Sequence, residues 1–297
     1  MQLLRGLFLL VYGLLATLPL CWMALSSLKS RDDTISPYAR FVPSLVQEAA
    51  RSVGAPLGSA AAVSTFTPTV AAYGALSSVH AGAQGSFWSY LRSSVLIGVL
   101  STAASVLLGT CCAYGFSRYR IPGAKDWLFF VLSTRFMPPL AVVVPVLMMY
   151  RELSLTGTAL GLILLYTVFN LSLAVWLMKG FLDEIPRAYE EAAEVDGYSR
   201  LHAFVHIILP QARTGMAVTA VFCLISAWNE YGFAMTLNSS ANTTVPAYFA
   251  GLQGNIDGMP WPQIAAGGLL FVTPIVLFTV LVRKHLLRGM TFGTIKQ

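Results

Sequence analysis

Long apolar stretches alternate with short polar segments along this chain. A helix needs about 20 mostly apolar residues to cross the hydrocarbon core of a bilayer. Six stretches approach that length, and each predicts one membrane-spanning helix. The expected spans are 3–25, 93–116, 127–150, 159–177, 216–237 and 264–282. The pattern therefore predicts an all-α membrane protein with six transmembrane helices in a single transmembrane domain, residues 1–297.

Composition supports a membrane location and excludes a nucleic-acid-binding protein. Hydrophobic residues make up 56% of the 297 residues, and charged residues only 11%, whereas soluble domains carry about 25% charged residues. The net charge of +6 does not indicate nucleic-acid binding. The basic residues lie at the ends of apolar stretches, where membrane topology and lipid headgroups account for them. Membrane lipid is the expected surrounding, and no nucleic acid is expected as a partner.

The distribution of Lys and Arg predicts the orientation in the membrane. With the N-terminus inside, the stretch 238–263 lies outside and contains no Lys or Arg. The long outside loop 29–92 does carry basic residues, but loops of this length largely escape the positive-inside rule. Both termini are therefore predicted to be cytoplasmic. The basic residues expected inside are Arg5, Arg118, Arg120, Lys125, Lys179, Arg187, Arg200, Arg213, Arg283, Lys284, Arg288 and Lys296.

The chain lacks the motifs of an enzyme or of an ATP-binding subunit. It has no phosphate-binding loop, no HExxH pair and no nucleophile elbow, so transport against a gradient requires a partner or a coupled ion as its energy source. The cysteines lie in apolar stretches and are interpreted as packing residues. His202 and His206 have metal-ligand spacing on a helix, but a solvated or packed helix face is favoured. No cofactor is expected in this chain.

A polar segment, the 183–213 loop, separates the fourth and fifth spans and has two helical patterns. Pro186 suits the start of the first helix, and Asp196-Gly197 suits its end. The second helix is expected to end at Pro210 and to carry an apolar stripe at Leu201, Phe204, Val205 and Ile208. Two short helices at an angle suit insertion into a groove on a cytoplasmic protein. An amphipathic loop lying on the membrane is an equal alternative.

Polar residues inside the spans are candidates for a solute pathway, because their exposure to lipid is costly. They are Tyr166 and Asn170 in the fourth span, and Trp228, Asn229 and Glu230 in the fifth. An amide together with an aromatic ring suits a sugar. Structural hydrogen bonding between helices explains the two asparagines equally well, and a structural or gating role is favoured for the glutamate.

The third span contains residues that predict an irregular helix. Pro138-Pro139 and Pro145 predict a broken or kinked span. Arg135, near the cytoplasmic third of this span, is expected to reach the interface or to pair with Asp126 or a partner subunit.

The 183–213 loop resembles the EAA loop of binding-protein-dependent ABC importers, through Glu191-Ala192-Ala193, Asp196-Gly197, Phe204, Ile207 and Leu209-Pro210. The resemblance is to the permeases of maltose-type carbohydrate importers, the MalG-like subunit. Further matching segments are Ser27–Lys29, Ala113–Arg118, Met137–Pro139, Tyr166–Leu171, Gly180-Phe181, Ala227–Tyr231 and Gly289–Lys296. The chain departs from the family at Thr214, where proline is usual, at Arg92-Ser93, and in a longer loop at 37–64.

The resemblance implies an assembly and a set of functional residues. It implies a type I ABC importer permease in the bacterial inner membrane, forming half of a pathway for a sugar. The implied partners are a second, MalF-like permease, two ATPase subunits that bind ATP and Mg, and an extracytoplasmic solute-binding protein. Glu191 is the implied ion-pair partner of the ATPase. The residues implied to couple to the ATPase are Glu190, Glu191, Ala192, Ala193, Asp196, Gly197, Phe204, Leu209 and Pro210.

Other classes remain open at this stage. The alternatives are an ABC permease for another solute, such as an amino acid or a peptide, a stand-alone membrane channel, and a membrane-embedded enzyme. The sequence does not identify the sugar, and it does not say whether this subunit or the partner permease contacts the solute.

Overall fold

Helices dominate the structure, a computed structural model that describes residues 2–36, 40–52, 65–78, 85–237, 243–252 and 258–291. A short parallel ladder pairs β1 (Val42–Pro43) with β2 (Thr65–Phe66). The helices are α1 (Gln2–Ser27), α2 (Arg31–Ile35), α3 (Ser44–Ser52), α4 (Ala71–Ala75), α5 (Phe87–Arg118), α6 (Ala124–Ser133), α7 (Pro139–Glu152), α8 (Ala159–Asp183), α9 (Ala188–Val195), α10 (Arg200–Ala203), α11 (Leu209–Trp228), α12 (Gly232–Leu237), α13 (Val245–Gly251) and α14 (Trp261–Thr291). A 3-10 turn covers Thr134–Phe136 and a π-helical turn covers Phe204–Ile208.

Five helical segments among the described residues are long and apolar enough to cross a membrane. They are Arg5–Ser27, Phe87–Arg118, Ala159–Asp183, Arg200–Trp228 and Trp261–Arg283. The bent pair Ala124–Phe136 and Ala141–Glu152 makes a sixth when it is counted as one span. With this sixth span, the described part of the chain contains the six transmembrane helices that the sequence predicts. The last match to the family, Gly289–Lys296, runs beyond the described residues.

The third span is broken at the predicted pair of prolines. Its two pieces differ in direction by 93°. Met137 is extended, with ψ 123°, because a residue that precedes proline avoids the helical region. Pro139 then begins α7, where a missing N–H costs little. Pro145 lies inside α7 without ending it, so the expected break is at Pro138-Pro139, and a kink at Pro145 stays a prediction.

The helix expected at 216–237 has different limits in the structure. Helix runs from Arg200 through the π-helical turn to Trp228, and the separate helix α12 follows. Pro210 therefore does not end the second helix of the 183–213 loop, as the pattern predicts, but lies in the first turn of α11. Proline lacks an N–H and crowds the carbonyl four residues before it. The wider π-helical turn directly before Pro210 accommodates both effects.

The chain divides into two compact units, residues 1–91 with 248–274 and residues 92–247 with 275–297. In the first unit the hydroxyls of Ser27 and Tyr73 are hydrogen bonded at 2.9 Å. This bond ties the end of α1 to α4. The single permease domain predicted for the whole chain stays a prediction.

Small residues allow close helix packing in the second unit. A Cβ on Gly109 of α5 would lie 2.5 Å from the Cβ of Ala174 in α8. A Cβ on Gly215 of α11 would lie 2.5 Å from the Cγ of Phe181, also in α8. Such small positions are typical of helix contacts in membranes. They set the approach of α5 and α11 to α8, and hence the positions at which the 183–213 loop begins and ends.

Candidate functional site

The turn between the two helices of the 183–213 loop is a Schellman motif centred on Gly197. The Tyr198 N–H donates to the Ala193 carbonyl at 2.9 Å, and the Gly197 N–H donates to the Glu194 carbonyl at 3.1 Å. Gly197 has φ +84°, a conformation that costs glycine nothing and other residues a steric penalty. Ser199 then caps α10 by accepting from the His202 N–H at 3.3 Å. The predicted helix stop is thus a defined turn.

Glu190 anchors α9 to the end of α5. Its Oε1 accepts a hydrogen bond from the Tyr114 hydroxyl at 2.6 Å. Its Oε2 lies 2.5 Å from Arg118 Nε, and the two side chains of this pair are only 7% (Arg118) and 13% (Glu190) exposed. The Nε contact is ionic and not an aligned hydrogen bond. Arg118 also donates from Nη2 to the Ile185 carbonyl at 2.9 Å.

A second set of bonds ties the same end of α5 to the loop. Arg187 Nη2 donates to the Ser117 carbonyl at 2.7 Å. The Ser117 hydroxyl donates to Asp183 Oδ1, also at 2.7 Å. The start of the loop's first helix is therefore held by the end of α5, although α5 is distant from the loop in sequence.

Three of the residues implied to couple to the ATPase face the interior of the chain. Ala193 is 3% exposed and Phe204 is 8% exposed. The Phe204 ring packs on Tyr114 with centroids 4.3 Å apart, and Leu209 packs against the same apolar cluster. With Glu190, these residues position the loop and leave little surface for a partner.

The outward surface of the loop is formed by the other implied residues and by exposed apolar side chains. Glu191, Ala192, Asp196, Gly197 and Pro210 are exposed. The exposed apolar side chains nearby are Tyr189, Val195, Tyr198, Leu201 and Val205. We call Glu191, Ala192, Val195, Tyr198 and Leu201 the outer face of the loop.

The apolar stripe predicted for the second helix is only half buried. Phe204 and Ile208 are buried, whereas Leu201 is 72% exposed and Val205 is 42% exposed. The stripe is therefore divided between the inner and the outer side of the loop, and the π-helical turn at Phe204–Ile208 departs from the regular helix that the pattern assumed.

Two histidines of the loop stack on each other and do not converge on a common point. The rings of His202 and His206 lie 4.0 Å apart at 16°, and Tyr198 stacks on His202. Parallel rings in contact do not direct two nitrogens at one metal ion. Among the described residues no group of three or more His, Cys, Asp or Glu side chains is placed to hold a metal.

Tyr166 and Glu230, both pathway candidates, are bonded to each other. The buried Tyr166 hydroxyl donates to Glu230 Oε2 at 2.5 Å. The Glu230 carboxylate also accepts from the N–H groups of Phe233 at 2.8 Å and Ala234 at 3.2 Å. Glu230 thus caps α12. This cap is the reason that the helix predicted at 216–237 ends at Trp228 and restarts after the glutamate.

The other pathway candidates differ in exposure. Asn170 is buried, donates to the Cys223 carbonyl at 3.2 Å and leaves its Oδ1 without a partner among the described residues. Trp228 is also buried, against Gly98. Asn229 is exposed, and its Nδ2 donates to the Ile225 carbonyl at 2.8 Å.

An ion pair with Asp126 is one possibility that the sequence allows for Arg135, and the structure shows other partners within the described chain. Its guanidinium donates to the Phe169 carbonyl at 3.3 Å and to the Ser226 hydroxyl at 3.2 Å. It therefore links the 3-10 turn to α8 and α11, because the break at Pro138 turns this segment towards them.

Comparison with known protein families identifies the chain. Residues 105–292 match the family described as binding-protein-dependent transport system inner membrane component. The match covers more than half of the chain, and it includes the 183–213 loop and the residues of α5 that hold it. The chain belongs to this family. It is a permease subunit of a binding-protein-dependent importer, and not an enzyme, because ATP hydrolysis resides in a separate subunit.

Several relatives resemble this permease over most of their length. The probable ABC transporter permease y4oR of Sinorhizobium fredii is 29% identical over 99% of the chain and 96% of its own length. The trehalose transport permease SugB of Mycobacterium tuberculosis is 33% identical over 71% of the chain and 77% of its own. The trehalose/maltose permease MalG of Thermococcus litoralis is 29% identical over 71% and 76%.

A solved structure confirms the fold class predicted for the permease. The crystal structure of a bacterial ABC transporter that imports the acidic polysaccharide alginate superposes with a TM-score of 0.68. It covers 95% of both chains at 19% identity. The permease therefore has the type I ABC importer fold. The family match shows that it is an inner membrane component that works with ATPase and solute-binding partners.

The residues that hold the loop were not predicted from the sequence. Tyr114, Ser117 and Arg118 occur in a segment that matches the family, but Arg118 and Arg187 were attributed to membrane topology. A possible signal was the presence of these two arginines beside a run of acidic residues, 190–194, because buried cations require partners.

Proposed function

We propose that the 183–213 loop docks this permease onto one ATPase subunit through the outer face defined above. One observation carries this proposal: the inner side of the loop is bonded to α5, whereas its outer side exposes apolar side chains. Val195 is 87% exposed and Leu201 is 72% exposed, although each lies beside a Schellman turn that holds it in place. Exposed apolar side chains on an ordered element are typical of a binding surface.

Glu191 supplies the charge of this docking surface. Its side chain is exposed, whereas the adjacent Glu190 is committed to Arg118 and Tyr114. A free carboxylate beside exposed apolar side chains suits an ion pair with a basic residue of the ATPase. Glu191 is therefore the coupling glutamate, and Glu190 is a positioning residue.

Docking to an ATPase requires that the loop and both termini are cytoplasmic. The distribution of Lys and Arg along the chain favours this orientation. The outside segments would then include the end of α7 with Arg151 and the residues that precede α14.

The solute is proposed to be a carbohydrate. The relatives SugB and MalG are named as trehalose and trehalose/maltose permeases, and the segment Ala227–Tyr231 resembles that of carbohydrate permeases. A second permease of the MalF-like type would complete the pathway. Asn229 has an exposed amide that suits sugar hydroxyls, whereas Tyr166, Asn170, Trp228 and Glu230 are proposed to hold the helices around it.

Docking and orientation are tested together with single cysteines. In a chain whose native cysteines are replaced by serine, Val195→Cys should cross-link to the ATPase in membranes. It should resist an impermeant thiol reagent applied to intact cells. Arg151→Cys, also exposed, is the matched control and should show the opposite behaviour. Labelling of Val195→Cys from outside would overturn both the orientation and the docking.

The solute class is tested on the importer reconstituted in proteoliposomes with its binding protein. Uptake of a labelled disaccharide should depend on ATP and should fall with Asn229→Ala. ATP-driven uptake of an amino acid or a peptide, without uptake of any sugar, would refute the carbohydrate proposal and leave the docking proposal standing.

A further inference from the structure

A cavity of about 590 Å³ lies where α1 ends and α14 begins. Both helices belong to segments that are long and apolar enough to span a bilayer. The cavity therefore lies at the depth where spans leave the hydrocarbon core and meet the lipid headgroups. Its apolar wall includes Trp22, Met23, Trp261 and Ile264, and tryptophan is enriched at this depth.

The opposite wall of the cavity carries more positive than negative charge. Lys29 and Arg40 supply two positive charges, and Asp33 supplies one negative charge. Asp33 forms an ion pair with Arg40 and accepts a hydrogen bond from the Ser30 hydroxyl at 2.7 Å. One positive charge is thus left over among the residues that line the cavity.

Lys29 is the cation whose environment most needs an anion. It is 4% exposed, and its Nζ lies 4.4 Å from the Trp22 ring centroid and 5.4 Å from that of Phe66. Burial lowers the pKa of Lys29, and the charge of Asp33 opposes this effect only in part. Aromatic faces attract the ammonium group but do not neutralise it. An anion in the adjoining cavity would complete the site.

Arg40 also has capacity for a ligand. Its Nη1 is occupied by Asp33, while its Nε is buried without a hydrogen-bond partner among the described residues. A guanidinium presents donors in a fork that suits phosphate oxygens.

We propose that this cavity binds the headgroup of an anionic membrane phospholipid, with the phosphodiester between Lys29 and Arg40 and the first acyl carbons against Trp22 and Trp261. The single negative charge of a phosphatidylglycerol headgroup matches the single unbalanced positive charge. The apolar wall favours a lipid over a free anion, because a free phosphate would leave that wall in contact with water. The site depends neither on the transported solute nor on the proposed orientation, since both leaflets contain phospholipid.

Native mass spectrometry of the full chain tests the site. The protein is released from nanodiscs that contain equal amounts of phosphatidylglycerol and phosphatidylcholine, and the lipids that remain bound are counted. The wild-type chain should retain phosphatidylglycerol in preference. Lys29→Gln should lower this preference about tenfold, as expected for one lost charge-assisted contact. Arg151→Gln, at an exposed residue that does not line the cavity, should leave the preference unchanged.

Two further variants complete the test. The first keeps the proposal testable if Lys29→Gln does not fold, and the second distinguishes a bound lipid from a free anion. Arg40 is 36% exposed, so Arg40→Gln should fold and still lower the preference. Trp261→Ala, at a side chain 52% exposed, should weaken lipid retention although it leaves the charge of the cavity unchanged. Equal retention of the two lipids by the wild-type chain would overturn the proposal. Displacement of the lipid by millimolar inorganic phosphate, or an equal effect of Arg151→Gln, would overturn it as well.

Discussion

Replacement of Gly197 by valine perturbs the Schellman turn of the 183–213 loop while leaving the surrounding packing intact. Gly197 has φ +84°, and a Cβ at this position would meet nothing within 4 Å. The substitution therefore introduces backbone strain and no steric overlap. The strain bears on the Schellman turn that joins α9 to α10.

The strain can be converted into a change in population. A residue with a Cβ loses about 1–2 kcal/mol in the left-handed conformation, and a β-branched residue loses at least that much. A difference of about 1–2 kcal/mol changes an equilibrium about 5- to 30-fold. The native turn should lose population by this factor relative to turns with negative φ. The fraction of molecules with a correctly placed outer face falls by at most this factor, because a strongly favoured turn stays partly populated.

The assay compares ATP hydrolysis with solute uptake in the reconstituted importer. Gly197→Val should fold and assemble, and should lower uptake per ATP hydrolysed by up to about 5- to 30-fold. Gly123→Val is the matched control, because Gly123 has φ +68° and its nearest atom to a Cβ would be 3.8 Å away, but it lies outside the 183–213 loop. Wild-type uptake by Gly197→Val, or an equal loss in both variants, would refute the reasoning.

Three further substitutions test packing, capping and docking. Gly109→Val should destabilise the chain by about 1–3 kcal/mol through overpacking, measured by thermal unfolding in detergent, whereas Gly115→Val on the same helix meets nothing within 4 Å and should be much milder. Tyr166→Phe keeps the ring but removes the 2.5 Å hydrogen bond to Glu230. It should cost about 1.5–3 kcal/mol, and an unchanged unfolding temperature would contradict a structural role for this bond, which positions the carboxylate that caps α12. Val195→Lys, at an exposed side chain, should change stability by less than about 0.5 kcal/mol but reduce co-purification of the ATPase; full retention of the ATPase would place the docking surface elsewhere.

The sequence predicted those features that depend on local physics. Apolar length indicated the spanning helices, and the proline pair at 138–139 indicated the break in the third span, because the residue before a proline avoids helical geometry. Asp196-Gly197 indicated the end of α9, since glycine readily adopts the left-handed conformation that a Schellman turn requires. Each of these signals lies within a few residues of its structural consequence.

The features that were missed depend on distant parts of the chain or on a departure from regular helix. The choice between Glu190 and Glu191 as the inward carboxylate depends on where α5 ends, and therefore on Arg118. The exposure of Leu201 depends on the π-helical turn at 204–208, which regular helical periodicity does not represent. The restart of the helix after Glu230 depends on the side chain of this residue, which accepts from the Phe233 N–H; the sequence favoured a structural or gating role for Glu230 but did not indicate a helix cap.

The Glu190–Arg118 contact decides which helices move with the loop. Through its chain connections alone, the loop would transmit motion to α8 and α11. The ion pair adds α5, since its two side chains are largely buried and both have further bonds. Breaking a buried ion pair so that one charge is left unpaired costs about 3–5 kcal/mol. The free energy that couples distant sites in a protein is typically smaller, about 1–3 kcal/mol. A movement of the docked loop is therefore less costly when α5 follows it than when the pair breaks. We infer that the ends of α5, α8 and α11 that adjoin the loop move as one body when the ATPase, docked as proposed above, moves the loop.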